Sequence, residues 1–301
     1  MIKSFNDLFA ELQAKGICKK MVVAWGVDSH SIEAAALATE KGFVTTTLVG
    51  DPDMIANVCK ECNINPDVFT VVPEKDELKA VAKAVQMVHD GEGDVLMKGL
   101  CSTDKFLRAI LNKEVGLLPP KGVLSHVGVI ENPNYHKLMF LSDMAVIPQP
   151  DFRQKVKLAN YLVATAKSFG LAMPKIAFIA ASEQMLDSMP ACIEAAMLAK
   201  MCDRGQIKAI GDDPLALDVA IDQEAVEIKK LKSPVAGDAD CLLFPNIESA
   251  NVFWKTNSKL ARDVRQAGFL VGTKVPCILA SRADSVDVKL NSIASAVISV
   301  K

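Results

Sequence analysis

Short β-rich apolar runs alternate with helix-length segments along most of this chain, and that alternation limits its fold more than any other feature. Parallel strands need a crossover, usually a helix, so the pattern reads as an α/β architecture with a largely parallel sheet. Met21–Trp25 is a strand candidate ending at Gly26, and Ser29 or Ser31 is expected to cap an alanine-rich helix through Ala38. Val44–Val49 follows, closed by Gly50-Asp51-Pro52. Leu78, Val81, Ala82, Val85 and Val88 recur at helical spacing, and Asp94–Met97 then reads as a buried strand running into Lys98-Gly99.

From Val123 to Ser142 the style changes. Val123–Ile130 and Lys137–Ser142 flank a Pro/Asn turn and predict an antiparallel pair. Asp151 is expected to cap a long helix to Phe169, closed by Gly170. Lys175–Ala181, Asp240–Phe244 and Val275–Ala280 are further strands, Pro190 opens a helix through Cys202, and Val288–Val300 reads as an amphipathic final helix. At 301 residues the chain exceeds one ordinary domain, and a changeover between two lobes is expected near 138–150.

Composition removes several classes of function. Half the residues are hydrophobic, which excludes disorder. Lys plus Arg is 34 against Asp plus Glu 36, so no basic excess points to a nucleic-acid partner. No run of apolar residues is long enough for a membrane span, and Met1–Glu11 lacks the apolar stretch of a secretory signal, so a cytoplasmic protein is expected. Several of the eight cysteines sit in apolar runs, as Cys241 and Cys277 do, and read as small buried hydrophobes in a reducing compartment. The Cys59–Cys62 pair has metal-ligand spacing but no second pair or nearby His, and no metal site is assigned.

No GxGxxG, GxxxxGK[ST], GxSxG or HExxH motif occurs, but an α/β protein without these can still hold phosphate at helix N-termini. Four strand-end segments qualify. Lys98–Asp104 combines a close-approach glycine, a cation and hydroxyls. Leu124-Ser125-His126 places a hydroxyl and an imidazole at a strand. Ser233–Asp240 is a Pro/Gly loop feeding a strand that ends in Pro245-Asn246. Ala280–Asp287 sets hydroxyl, guanidinium and carboxylate groups where a strand gives way to a helix, the edge at which open α/β sheets bind ligands.

These segments resemble the phosphate acetyl/butyryltransferase family, more closely its butyryl branch. The matching pieces run in order from Lys98-Gly99 with Ser102-Thr103, through Leu124–Val127, Pro133–Lys137, Asp143 and Pro214–Asp218, to Ser233–Gly237 with Ala239-Asp240. Pro245–Glu248 with Asn251 and Lys255, Ser281–Ser285, and Lys289 with Asn291–Ile293 complete the set. The resemblance implies transfer of a short acyl group between coenzyme A and phosphate. The coenzyme A thioester is then a substrate, and no bound cofactor is expected. It also implies two lobes of the isocitrate/isopropylmalate dehydrogenase-like type with an interdomain cleft, residues 1–138 plus 281–301 forming the first lobe and 139–280 the second. A homodimer or higher homo-oligomer is expected.

The implied catalytic residues are Arg282, Ser281, Asp287 and Asp284. Phosphate and coenzyme A contacts are expected from Lys98, Ser102, Thr103, Ser125, His126, Asp143, Gly237, Asn246, Asn251 and Ser285. The chemistry fits: a thiol near pKa 8.5 is helped by a carboxylate base, and a developing oxyanion with a departing phosphate calls for an arginine and a hydroxyl donor. Asp284 and Asp287 are both candidates for the base, and Cys101 raises a covalent acyl-cysteine route. Phosphate acetyltransfer is the nearest alternative reaction. A dehydrogenase using NAD and a divalent metal on the same fold, or a non-catalytic acyl-CoA binder, are more distant ones.

Overall fold

The expected strand–helix alternation is present in the computed structural model, which describes residues 1–281 and 284–300. These residues form two compact units, one of 5–124 and 266 onward, the other of 1–4 and 125–265.

In the first unit α1 (Phe5–Ala14) leads into β1 (Lys19–Ala24), α2 (Ser29–Glu40), β2 (Val44–Gly50), α3 (Pro52–Glu61), β3 (Phe69–Pro73), α4 (Glu77–His89), β4 (Val95–Lys98) and α5 (Thr103–Ile110). The second unit contains β5 (Ser125–Glu131), β6 (Met139–Ser142), α6 (Phe152–Ser168), β7 (Lys175–Ile179), α7 (Pro190–Asp203), β8 (Ile210–Leu215), α8 (Leu217–Ile221), α9 (Gln223–Lys229), β9 (Cys241–Leu243) and α10 (Ile247–Lys259). The chain then returns to the first unit as β10 (Arg265–Val271), β11 (Cys277–Ile278) and α11 (Val286–Ile298).

Strands of the first unit lie in the order β3-β2-β1-β4-β11-β10, parallel except for β10, which runs antiparallel to β11. Those of the second lie in the order β5-β6-β9-β7-β8, parallel except for the β5–β6 pair. The strand pairing in each unit is therefore mixed. Central strands carry unbroken apolar runs because helices cover both faces: Met21, Val22, Val23 and Ala24 are all buried. The core of the second unit gathers on β6, β7 and β9 around Leu141, Ala177 and Leu242.

Three local expectations need correction. Asp28, not Ser29 or Ser31, caps α2, its carboxylate accepting the Ser31 N–H. The last helix is not amphipathic: every position from Lys289 to Val297 is buried, and it packs on α1, α2 and β11. The changeovers fall at 124/125 and 265/266 rather than near 138 and 280. Backbone bonding explains both, since β5 pairs with β6, and β11 bonds to β4 and β10. Among the described residues no helix is long and apolar enough to cross a membrane.

One close approach fixes the geometry at the carboxyl end of β4. A Cβ built on Gly99 would lie 2.2 Å from the Trp25 carbonyl oxygen and 3.0 Å from that of Ala24. Only glycine fits there, and Trp25 itself adopts a left-handed φ of 55°. Gly99→Ala should therefore cost about 1–3 kcal/mol of stability. An unchanged melting temperature for that variant would contradict the packing.

Candidate active site

At the carboxyl edge of the first unit, β1, β4 and β11 are parallel neighbours, with Ala24 opposite Lys98 and Ile278 opposite Met97. Each strand passes through a short loop into a helix. Asp28 caps α2, Ser102 caps α5 and Ser285 caps α11. Three helix N-termini therefore gather on one edge, where unpaired amides and helix dipoles favour an anion.

The side chains on that edge divide into those that hold loops and those left open. Lys98 is 2% exposed and donates to the carbonyls of Gly99 and Cys101, both at 3.0 Å, so its charge braces the loop before α5. Ser102 Oγ accepts the Lys105 N–H at 3.3 Å, while Thr103 faces solvent at the first helical position. Cys101 is fully buried, which removes it from the reach of an acyl-CoA and argues against an acyl-cysteine intermediate. Asp284 Oδ2 accepts the Ser281 N–H at 2.7 Å, and the Asp284 N–H donates to the Ser281 carbonyl at 3.2 Å. That carboxylate closes a tight turn. Asp287 stands exposed in the first turn of α11, and Ser285 Oγ accepts the Val288 N–H at 3.3 Å. Arg282 lies outside the described residues.

In the second unit, β5 runs antiparallel to β6 while β9 is parallel to it, so Ser125 and His126 lie at the same edge as the carboxyl ends of β6 and β9. Asp143 organises this edge. Its carboxylate accepts from Ser125 Oγ at 2.9 Å, from the Ala145 and Val146 amides at 2.8 and 2.9 Å, and from the Ile147 amide at 3.3 Å. Ser142 Oγ lies 3.2 Å from Ser125 Oγ, and the His126 ring rests against Met144. Asn246 caps α10 through the Ser249 N–H, and Asn251 donates to the Met144 carbonyl at 2.9 Å. Five of the sequence-selected residues, Ser125, His126, Asp143, Asn246 and Asn251, thus either make up this edge or hold its loops.

The opposite, amino edge of the same sheet holds a second polar cluster. Asp238 receives Lys137, Lys175 and His136 at 2.7–2.8 Å, and Lys137 also pairs with the buried Asp240 at 2.8 Å. Burial alone would raise the Asp238 carboxyl, but its hydrogen bonds from Lys137, Lys175 and His136 outweigh that and hold it well below the usual carboxylate range. Tyr135 donates to the Ala239 carbonyl at 2.7 Å, and burial, with the charges of Asp238 and Asp240, pushes its phenol well above the ordinary value. Its hydroxyl is committed to the fold, which weakens any dehydrogenase reading that needs a tyrosine acid. Gly237, at φ 72°, belongs here too: its N–H donates to Val219, and a Cβ would meet Gln223 Oε1 at 2.4 Å. It tightens this loop and does not join Asp143 and Asn246.

The family model described as "Phosphate acetyl/butaryl transferase" matches residues 74–297. The chain belongs to that family. It is 43% identical over 297 residues to a phosphate butyryltransferase of Clostridium acetobutylicum, covering 98% of each chain. It is 38% identical to a phosphate acetyltransferase of Thermotoga maritima, covering 93% of this chain and 95% of that one. Among solved structures, a branched-chain phosphotransacylase from Enterococcus faecalis superposes with a TM-score of 0.82 at 28% identity, over 93% of this chain and 98% of the other.

For this family member, the sequence singled out Lys98, Ser102, Thr103, Ser281, Asp284, Ser285 and Asp287, and all lie on the carboxyl edge of one sheet. It missed Asp28, whose Oδ2 is buried without a hydrogen-bond partner, and Ser142. It also named Lys289 only as part of a motif. Asn291 and Ser292 of the same motif tie α11 to β10, through the Gln266 carbonyl and the Gly268 N–H. The buried cysteines behave as small hydrophobes: burial pushes the Cys277 and Cys202 thiols up to about 12. Among the described residues no group of three or more His, Cys, Asp or Glu is placed to hold a metal ion.

The Asp238 cluster predicts an acid-dependent term in stability. A carboxyl lowered on folding contributes above its unfolded value, and that contribution fades as pH falls through its folded one. Asp238→Asn should melt below the parent at neutral pH, and the gap should close progressively below about pH 4. A gap of the same size at about pH 3 as at pH 7 would remove Asp238 from this role.

Proposed function

We propose that this protein moves a short acyl group, butyryl or a close relative, between coenzyme A and inorganic phosphate. Acyl-CoA and phosphate give acyl phosphate and free coenzyme A, and the reaction runs in both directions. The observation that carries this reading is near-full-length similarity to phosphate butyryltransferases in a chain whose candidate residues line an anion-favouring strand edge. In this reading the two units act as lobes of the isocitrate/isopropylmalate dehydrogenase-like type. The protein works in the cytoplasm as a homodimer or higher homo-oligomer.

Each group has a role in the thiol-attack direction. Asp287, exposed and not engaged in a turn, takes the coenzyme A proton. Sulfur then attacks the carbonyl carbon of the acyl phosphate, the oxyanion forms, and the carbon–oxygen bond to phosphate breaks. Arg282 offers its guanidinium fork to the phosphoryl oxygens or the oxyanion, and the Ser281 hydroxyl donates beside it. Asp284 is the weaker candidate for the base because one of its oxygens already holds the Ser281 N–H. Helix N-termini at Ser102 and Ser285 add dipole to the phosphate's surroundings.

Phosphate-dependent release of free thiol tests the reaction. Butyryl-CoA should be turned over with a kcat/KM above that of acetyl-CoA. A preference for acetyl-CoA would move the protein to phosphate acetyltransfer, and no phosphate-dependent release from any short acyl-CoA would end the proposal. Arg282→Ala should lower kcat about 10²–10³-fold, and Arg282→Lys should keep most of that loss because the fork is gone. Asp287→Asn should slow thiol attack most at low pH, where little thiolate exists without a base. Full activity in a folded Arg282→Ala protein would place the site in another loop.

A further inference from the structure

Trp25, Leu100 and Leu279 lie one or two residues past the ends of β1, β4 and β11, and each is half-buried. Those strands are parallel neighbours, so three partly open apolar side chains follow one another across the carboxyl edge of the first unit. The backbone ties two of them together. The Leu100 N–H donates to the Trp25 carbonyl at 2.9 Å, and the Gly99 N–H donates to that of Ala24 at 2.9 Å. The row spans two strand spacings, about 10 Å. The same loops carry the exposed Thr103, Ser281 and Asp287 and the Ser102 and Ser285 caps of α5 and α11. An apolar row thus borders amides and dipoles that favour an anion.

Within the row, Trp25 is under strain. Its φ of 55° is costly for a bulky side chain, and glycine would adopt it freely. Among the described residues the indole N–H has no hydrogen-bond partner, although tryptophans packed into a fold usually find one. The fold keeps a large aromatic group where it strains the backbone and satisfies no donor. Such strain gathers where a group serves a ligand.

We propose that Trp25 is a specificity-determining residue whose indole, with Leu100 and Leu279, receives the acyl chain of the substrate. The proposal rests on the reading above, in which the phosphate end of an acyl phosphate meets helix N-termini at this edge. A short apolar tail on an anionic head is what an apolar row beside those amides complements. Adenine lies at the far end of coenzyme A from the thioester, so a wall beside the anion-favouring amides meets the acyl end. Each methylene covered by that wall favours the longer chain, and acetyl leaves the indole largely uncovered.

Trp25→Gly removes the indole and suits the left-handed backbone. In phosphate-dependent thiol release, the ratio of kcat/KM for butyryl-CoA to that for acetyl-CoA should fall about tenfold. Trp25→Phe should keep most of the parental ratio. An unchanged ratio in Trp25→Gly overturns the proposal. Equal losses for both thioesters also overturn it, because they place the indole against the shared body of coenzyme A or in packing alone. Should Trp25→Gly not fold, Leu100→Ala carries the same comparison: a lower ratio supports the row, and an unchanged one overturns it.

Fluorescence reads the contact without turnover. The chain holds two tryptophans, so the difference between the emission of the parent and that of Trp25→Gly reports Trp25. Butyryl phosphate should shift that component, and acetyl phosphate and inorganic phosphate should shift it less. Equal shifts with butyryl and acetyl phosphate overturn the acyl contact. A butyryl-specific shift in a parent protein without phosphate-dependent turnover supports the contact and strikes at the assigned reaction alone.

Discussion

The parallel alignment of β1, β4 and β11 is the constraint on which the candidate site of the first unit depends. Parallel strands end together, so every crossover after them starts from the same edge, and each helix there begins with unpaired amides. The packing that allows this is tight: the backbone after β4 passes so close to the Trp25 carbonyl that no side chain fits at Gly99. Without that approach the loop capped by Ser102 would stand further from β1.

Charge burial then assigns the work. Lys98, Asp143 and Lys289 are each at most 2% exposed, and each spends its charge on protein atoms: Lys98 on loop carbonyls, Asp143 on loop amides and Ser125, Lys289 on Ser31. Groups so committed keep loops in place. Thr103, Ser281 and Asp287 are exposed. A family motif therefore mixes two kinds of residue, and the Tyr135–Lys137 and Asp240 pieces, on the amino edge, belong wholly to the first kind.

Much of this was legible in the sequence. The β1 and β4 runs, the antiparallel β5–β6 pair and the Asp151 cap of α6 were readable because apolar runs and capping residues act locally. β8 was not, because Ile210–Leu215 contains a glycine, two aspartates and a proline and buries only its last two residues; pairing with β7 makes it a strand. The amphipathic reading of α11 failed for the opposite reason. Lys289, Asn291 and Ser292 are polar, yet each finds a buried partner supplied by α2 or β10, distant in sequence. The division between Asp284 and Asp287 was likewise open, since a turn closed by a side chain has no periodic signature.

That division bears on how the reaction is driven. A thiol near pKa 8.5 and a carboxylate near 4 are separated by about four to five pKa units, so full proton transfer before attack is uphill. A carboxylate base therefore helps most when transfer accompanies carbon–sulfur bond formation, and its contribution stays modest, on the order of 10²–10⁴. The larger share must come from charge on the acceptor side, where an oxyanion forms and phosphate departs. Helix N-termini along the carboxyl edge suit that demand. The buried charges of Lys98 and Lys289, bonded to the Gly99 and Cys101 carbonyls and to Ser31, hold the loops and helices that carry those N-termini.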